Sequence, residues 1–140
     1  MPLQIQNLEK VTLIVLSGRL KTEVAQELKD ELYSYCDSNP GHTLIDMSEV
    51  TYVSSYLIGV LVGCHKKLKA SGSELHLVGL NPTFRTVLEV SGLTDVFPHH
   101  ETREEGITHF HWALEILVAV GSGLSRGLTR AISSSARNRS

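Results

Sequence analysis

The chain is poor in cysteine: Cys36 and Cys64 are the two in 140 residues. They fall in separate segments of helical periodicity with no close pairing pattern. A disulfide framework is therefore excluded, and both read as reduced, buried thiols. An excess of positive charge is missing too. The 13 Lys and Arg residues stand against 15 Asp and Glu, for a formal net charge of −2, whereas a nucleic-acid footprint needs a basic face. No apolar run approaches the roughly 20 residues needed to span a bilayer. Residues 1–7 carry neither the basic n-region nor the apolar h-region of a signal peptide, so the expected compartment is the cytoplasm. What is present is ordinary: 41% hydrophobic and 20% charged residues suit one globular domain with a real core.

Leu3, Ile5 and Leu8 form a loose edge strand, and Val11 to Leu16 is nearly continuous aliphatic sequence, as in a strand buried on both faces. After Ser17-Gly18-Arg19-Leu20, Thr22 is the expected cap of a helix. Its apolar residues Val24, Ala25, Leu28, Leu32 and Tyr35 recur every three or four positions. Asn39-Pro40-Gly41 ends it. Thr43 to Met47 is a second buried strand, followed by a turn and a helix that begins after Ser54-Ser55 and ends at Ser71-Gly72. Glu74 to Val78 is a third strand. Asn81-Pro82 opens a helix with Phe84, Val87, Leu88 and Val90 as its inner face, and Val96-Phe97 reads as a short last strand. A terminal helix is expected from Glu101 through Trp112, Leu114 and Leu117.

Strands alternating with helices predict an α/β fold, a mixed or parallel sheet of about four to five strands with four helices. The expected domain is 1–110, with 111–140 a terminal helix extension and a flexible basic tail. No acidic residue follows Glu115, while Arg126, Arg130, Arg137 and Arg139 do. A sharper reading makes Leu124 to Ile132 an amphipathic segment against a membrane surface or a partner; the composition favours the tail.

The residues with chemistry cluster at Asp46-Met47-Ser48-Glu49-Val50-Thr51-Tyr52-Val53-Ser54-Ser55. Paired serines at a helix start can cap orphan N–H groups, and the same place suits a phosphate. Asp46 reads as ordering the turn. Ser55, Gly59 and Gly63, spaced by four, would share one face with Tyr56 and Val60 alongside. Interior glycines cost about 1 kcal/mol each relative to alanine, and close approach of a partner is one reason to keep them; packing on the protein's own sheet is the other. Leu57, Ile58, Leu61, Cys64 and Leu68 are left for the core. Among the seven histidines, His109 and His111 are the closest pair, but alternate helical positions point apart, and His99-His100 reads as a turn; no metal site is expected. No histidine is placed to activate Ser55, Gly79-Leu80-Asn81-Pro82 is no phosphate loop, and neither an enzyme nor a cofactor is expected.

Four stretches carry a resemblance. They are Leu16-Ser17-Gly18-Arg19-Leu20, Leu44 through Val53, Gly79-Leu80-Asn81-Pro82, and Val87-Leu88-Glu89-Val90-Ser91-Gly92-Leu93-Thr94-Asp95-Val96-Phe97. Through them, residues 1–110 resemble a STAS domain, the family of bacterial anti-sigma-factor antagonists. In that family the junction usually reads Asp-Ser-Ser/Thr-Gly-Leu-Gly, and a partner kinase phosphorylates the first serine. With Gly59 and Gly63 in register, Ser54 takes the aspartate position and Ser55 the acceptor position. Tyr56 replaces the second hydroxyl residue, Leu57 the first glycine, and Lys21 the aspartate common after Gly-Arg-Leu.

The resemblance implies an anti-sigma-factor antagonist that binds a serine-kinase anti-sigma factor with an ATP-binding domain. Phosphorylation at Ser55 (alternatively Ser54) would switch it off, and a serine phosphatase would reset it. Ser54, Tyr56, Gly59, Val60 and Gly63 would form the docking face. A second reading is a non-phosphorylated STAS scaffold, or a subunit of a signalling or lipid-transport complex; homodimerisation stays open.

Overall fold

The computed structural model describes residues 2–8 and 10–111. Residues 112–140 lie outside the described part, and with them the expected Trp112–Leu117 helical turns, the basic tail and the Leu124–Ile132 segment. Along the described chain run β1 (Leu3–Asn7), β2 (Thr12–Leu20), α1 (Thr22–Ser38), β3 (Thr43–Val53), α2 (Ser55–Ala70), β4 (Leu75–Val78), α3 (Pro82–Val90) and β5 (His99–His100). A further helix, α4, covers residues 103–111. The five strands form one sheet in the order β1-β2-β3-β4-β5. β1 is antiparallel to β2, and the other neighbours are parallel. Each parallel pair is joined by a helix, because parallel neighbours need a crossover.

The sheet is a partition. Ile14, Leu16 and Leu20 of β2, Ile45, Met47 and Val50 of β3, and Leu75 and Leu77 of β4 pack with α1, α2 and α3. Their alternates Leu13, Val15, Leu44 and Val78 join Phe110 of α4 on the other side. The period of two in each strand separates these sets. Both sets are apolar along Leu13–Leu16, hence the continuous aliphatic run.

Three boundaries differ from the sequence expectation. The segment expected as a turn after Met47 continues as strand to Val53. It does so through two register shifts against β2, where Val15↔Asp46 passes to Ser17↔Glu49 and Gly18↔Val50 to Arg19↔Tyr52. Each shift puts one extra residue into β3, which is a bulge, and polar Ser48 and Glu49 read as a turn because the pattern slips there. The last strand is His99–His100, not Val96–Phe97. Val96 and Phe97 N–H groups both donate to the Leu93 carbonyl, 3.0 and 3.1 Å, and Phe97 is fully buried in the larger cluster. Finally, Thr22 does not cap α1 but is its first residue; Lys21 is the cap position and forms no side-chain cap bond. An ammonium has no acceptor to offer a free N–H.

The inner face of α3 is narrower than expected: Phe84 and Leu88 are buried, while Val87 and Val90 are exposed. Its ends follow the sequence. Asn81 Oδ1 accepts from the Phe84 N–H at 2.7 Å. After Ser91, Gly92 adopts φ 71°, and the Leu93 N–H reaches the Leu88 carbonyl at 2.9 Å. That is a Schellman stop, for which glycine is the natural residue.

Candidate functional site: the β3–α2 junction

The two adjacent serines have separate tasks. Ser54 is buried, with an extended backbone, and its Oγ accepts from the Leu57 N–H at 3.3 Å. Its own N–H donates to the Leu20 carbonyl at 3.0 Å, tying the helix start to the end of β2. Ser55, the first residue of α2, is exposed. A hydroxyl here lies at the positive end of a 16-residue helix, where an anion is stabilised by the dipole and the first-turn N–H groups.

Leu57, which stands where a glycine is common, turns inward and is fully buried with Leu61, Cys64 and Leu68. The solvent beside Ser55 is therefore left open. Ile58 is half-buried against the same cluster, and so is Tyr56.

Two residues expected on the docking face are covered by the protein itself. Val60 is buried. Gly63 lies under α1, where an added Cβ would stand 1.9 Å from the Tyr33 Oη. At Gly59 the same atom would meet nothing within 4 Å among the described residues. The reason is the helical repeat: eight residues turn about 80° past whole turns, seven only about 20° short of them. The stripe in line with Ser55 and Gly59 thus continues through half-buried Val62 to exposed Lys66. Gly63 is kept for packing: Tyr33 fills the space over it, with Lys29 and Lys67 Nζ 5.7 and 5.1 Å from its ring.

Next to the junction, Arg19 and Tyr52 are opposite each other in the β2–β3 register, with the guanidinium 5.6 Å from the exposed ring. Asp46 sits beneath, almost fully buried. Its Oδ1 accepts from the Ser48 N–H at 2.8 Å, which holds the first bulge, and its Oδ2 takes the Arg103 guanidinium from α4. Burial alone would raise the Asp46 pKa, but the Ser48 hydrogen bonds and the Arg103 charge outweigh it and hold the carboxyl below the usual carboxylate range. Gly79, the residue after β4, closes the site. Its φ is 69°, and a Cβ there would come within 2.8 Å of the Ser48 Cβ. The Arg103 contact was invisible in the sequence, since 57 residues separate the partners.

Sheet order, the capped helix start with an exposed serine, and the glycine turns define a class, and the comparisons agree with it. A family model described as "STAS domain" matches residues 2–106. The chain belongs to the STAS family. BtrV of Bordetella bronchiseptica is 29% identical over 114 residues, 81% of this chain and 98% of that one. A Listeria monocytogenes protein named anti-sigma-B factor antagonist is 34% identical over 83 residues, 59% of this chain and 73% of its own. Among solved structures, the Bacillus cell fate determinant SpoIIAA in its phosphorylated form superposes with a TM-score of 0.63 at 20% identity, covering 76% of this chain and 97% of that one.

Proposed function

We propose that this protein is an anti-sigma-factor antagonist. It docks a serine-kinase anti-sigma factor on the surface formed by Ser55, Gly59 and the exposed part of Tyr56, and phosphorylation of Ser55 turns it off. The observation that carries this reading is the division of labour between the serines. Ser54 spends its hydroxyl on the cap and is buried, whereas Ser55 is exposed on the adjoining turn. The names of the Listeria relative and of the phosphorylated SpoIIAA structure support it. Val60, which is buried, and Gly63, which the Tyr33 ring covers, are not part of the face.

A phosphate on Ser55 brings about −1.5 to −2 charges. In the free protein the helix N-terminus accommodates them. In a closed interface they must be desolvated, and they face the phosphates of a nucleotide bound to an ATP-binding partner; like-charge juxtaposition costs several kcal/mol. Release follows with no change of fold. A serine phosphatase restores the binding form.

The test is incubation with the ATP-binding anti-sigma factor of the same genome and ATP, then mass spectrometry of the peptide that holds Ser54 and Ser55. Phosphate is expected on Ser55. Ser55→Asp should weaken binding by about tenfold or more, which is about 1.4 kcal/mol, and Ser55→Ala should retain it. Equal binding by the two variants, or phosphate on Ser54, overturns the reading.

A further inference from the structure

On the α4 side of the sheet, far from Ser55 in sequence, four histidines crowd together. His76 of β4 is 2% exposed. Its ring lies 5.2 Å from that of His100 and 4.9 Å from that of His109, and Phe110 covers it at 4.6 Å. His76 Nδ1 is 2.9 Å from His100 Nε2. His42 closes the group differently, its Nδ1 accepting the Glu74 N–H at 3.2 Å while its ring stacks on Phe110. That bond occupies one His42 nitrogen and holds the backbone of Glu74 beside His76.

The other nitrogen of His76, Nε2, has no hydrogen-bond partner among the described residues although it is buried. It faces the Glu74 carboxylate, with Oε1 at 3.5 Å, too long for a good hydrogen bond. One ligand atom each from Glu74, His76 and His109 falls within 4.8 Å of the others. A buried unpaired nitrogen aimed at a carboxylate and a second imidazole is costly as it stands. A positive charge between the three would satisfy all of them.

We infer that Glu74, His76 and His109 form a binding site for one divalent transition-metal ion of the zinc class, with solvent completing its coordination. Two imidazoles and a carboxylate are a donor set that zinc and its neighbours accept. Tetrahedral zinc at about 2.0–2.1 Å from its ligands sets those ligands roughly 3.3 Å apart. Closing from 4.8 Å requires movement of Glu74, whose side chain is 54% exposed, and of half-buried His109. His100 is the supporting group: with the proton on His76 Nδ1 donated to His100 Nε2, the lone pair of His76 Nε2 points at the ion. The ion would join β4 to α4, whose start is already tied to β3 by Arg103 and Asp46.

No metal site is expected from the sequence, where the closest pair, His109 and His111, points apart, and Glu74 and His76 lie more than 30 positions before His109. The test uses the full-length, tag-free, metal-stripped protein titrated with Zn²⁺ by calorimetry and thermal melting, and with Co²⁺ by visible absorption. One ion per chain, a melting temperature that rises with Zn²⁺, and visible Co²⁺ bands are expected. Glu74→Gln and His109→Ala should each lower affinity at least about tenfold, and His100→Ala by about 10–100-fold through its supporting role. His99→Ala should leave it unchanged. Glu74 is exposed, so its variant keeps the test valid should a histidine variant fail to fold. Stoichiometry other than one, affinity unmoved by Glu74→Gln, or a near-ultraviolet thiolate band that places Co²⁺ at Cys36 and Cys64 would each overturn the site.

Discussion

The two faces of the sheet are made from different materials. Toward α1, α2 and α3 the strands present Ile14, Leu16, Leu20, Ile45, Met47, Val50, Leu75 and Leu77, closed over by Leu28, Leu32, Leu57, Leu61, Leu68 and Phe84. Toward α4 the aliphatic set is small, and between its members sit Asp46 and His76, each 2% exposed, with Arg103, His100 and His109 around them. The first face derives its stability mainly from area and close packing, although burial, with Lys69 and Lys66, also lowers the pKa of His65 on α2. The second depends on charges and lone pairs being matched. The candidate switch stands on the rigid face, at the start of α2. Asp46 reaches it from the responsive face by holding the bulge at Ser48.

The comparison can be broken most severely on the apolar face. Leu61→Ala, at a fully buried position on α2, should cost about 2–5 kcal/mol in denaturant unfolding. Its loss should be the same at every pH; a strongly pH-dependent loss would show that the faces are not independent.

A sharper probe is the pair of glycines on α2. Gly63→Ala forces the Tyr33 ring away and should cost about 1–3 kcal/mol as overpacking. Gly59→Ala enters open space and should stabilise by about 0.5–1 kcal/mol through helix propensity. It should also weaken partner binding if this surface docks closely. Equal effects on stability would contradict the inward placement of Gly63.

On the other face, Arg103→Met leaves Asp46 buried with only Ser48 to bind it, at a cost of about 1–3 kcal/mol. The pH dependence follows from signs. Asp46 is held below its unfolded value of about 3.9, so its contribution is present above that pH and is lost as acid titrates the folded carboxyl. His76, at about 3, and His100 are also lowered, by burial and then by their histidine neighbours. Between about pH 6.5 and 3 the unfolded chain therefore binds more protons, and stability falls with acid. Denaturation midpoints over that range should decline in the wild-type chain. Arg103→Met raises the folded Asp46 carboxyl toward or past its unfolded value and should shrink or reverse the Asp46 part of the decline, while Leu61→Ala should leave the slope alone. A flat wild-type profile would remove the distinction between the faces.

The strand and helix order was legible in residues 2–111 because its signals are local: aliphatic runs in β2 and β3, a proline and an asparagine at the start of α3, and glycines at its stop and that of α2. The STAS membership was legible for the same reason, as short motifs in order. The resemblance already puts Ser55 at the acceptor position and Ser54 at the aspartate position; the structure adds that Ser54 is the buried cap and that Ser55 is exposed. The spacing of four was extended too far at Gly63, which lies under the Tyr33 ring, and Val60, read as alongside it, is buried. The bulges of β3 hid a strand behind a turn-like composition.

By itself, then, the amino-acid order determined the alternation of strands and helices, the apolar set available for a core, and the family. The tertiary structure decided which polar groups meet. Arg103 reaches Asp46, Tyr33 fills the space above Gly63, and His76, His109 and Glu74 converge. Periodicity is set by neighbours a few residues apart, and these contacts join positions 30 or more apart, through the sheet order and the packing of helices across it.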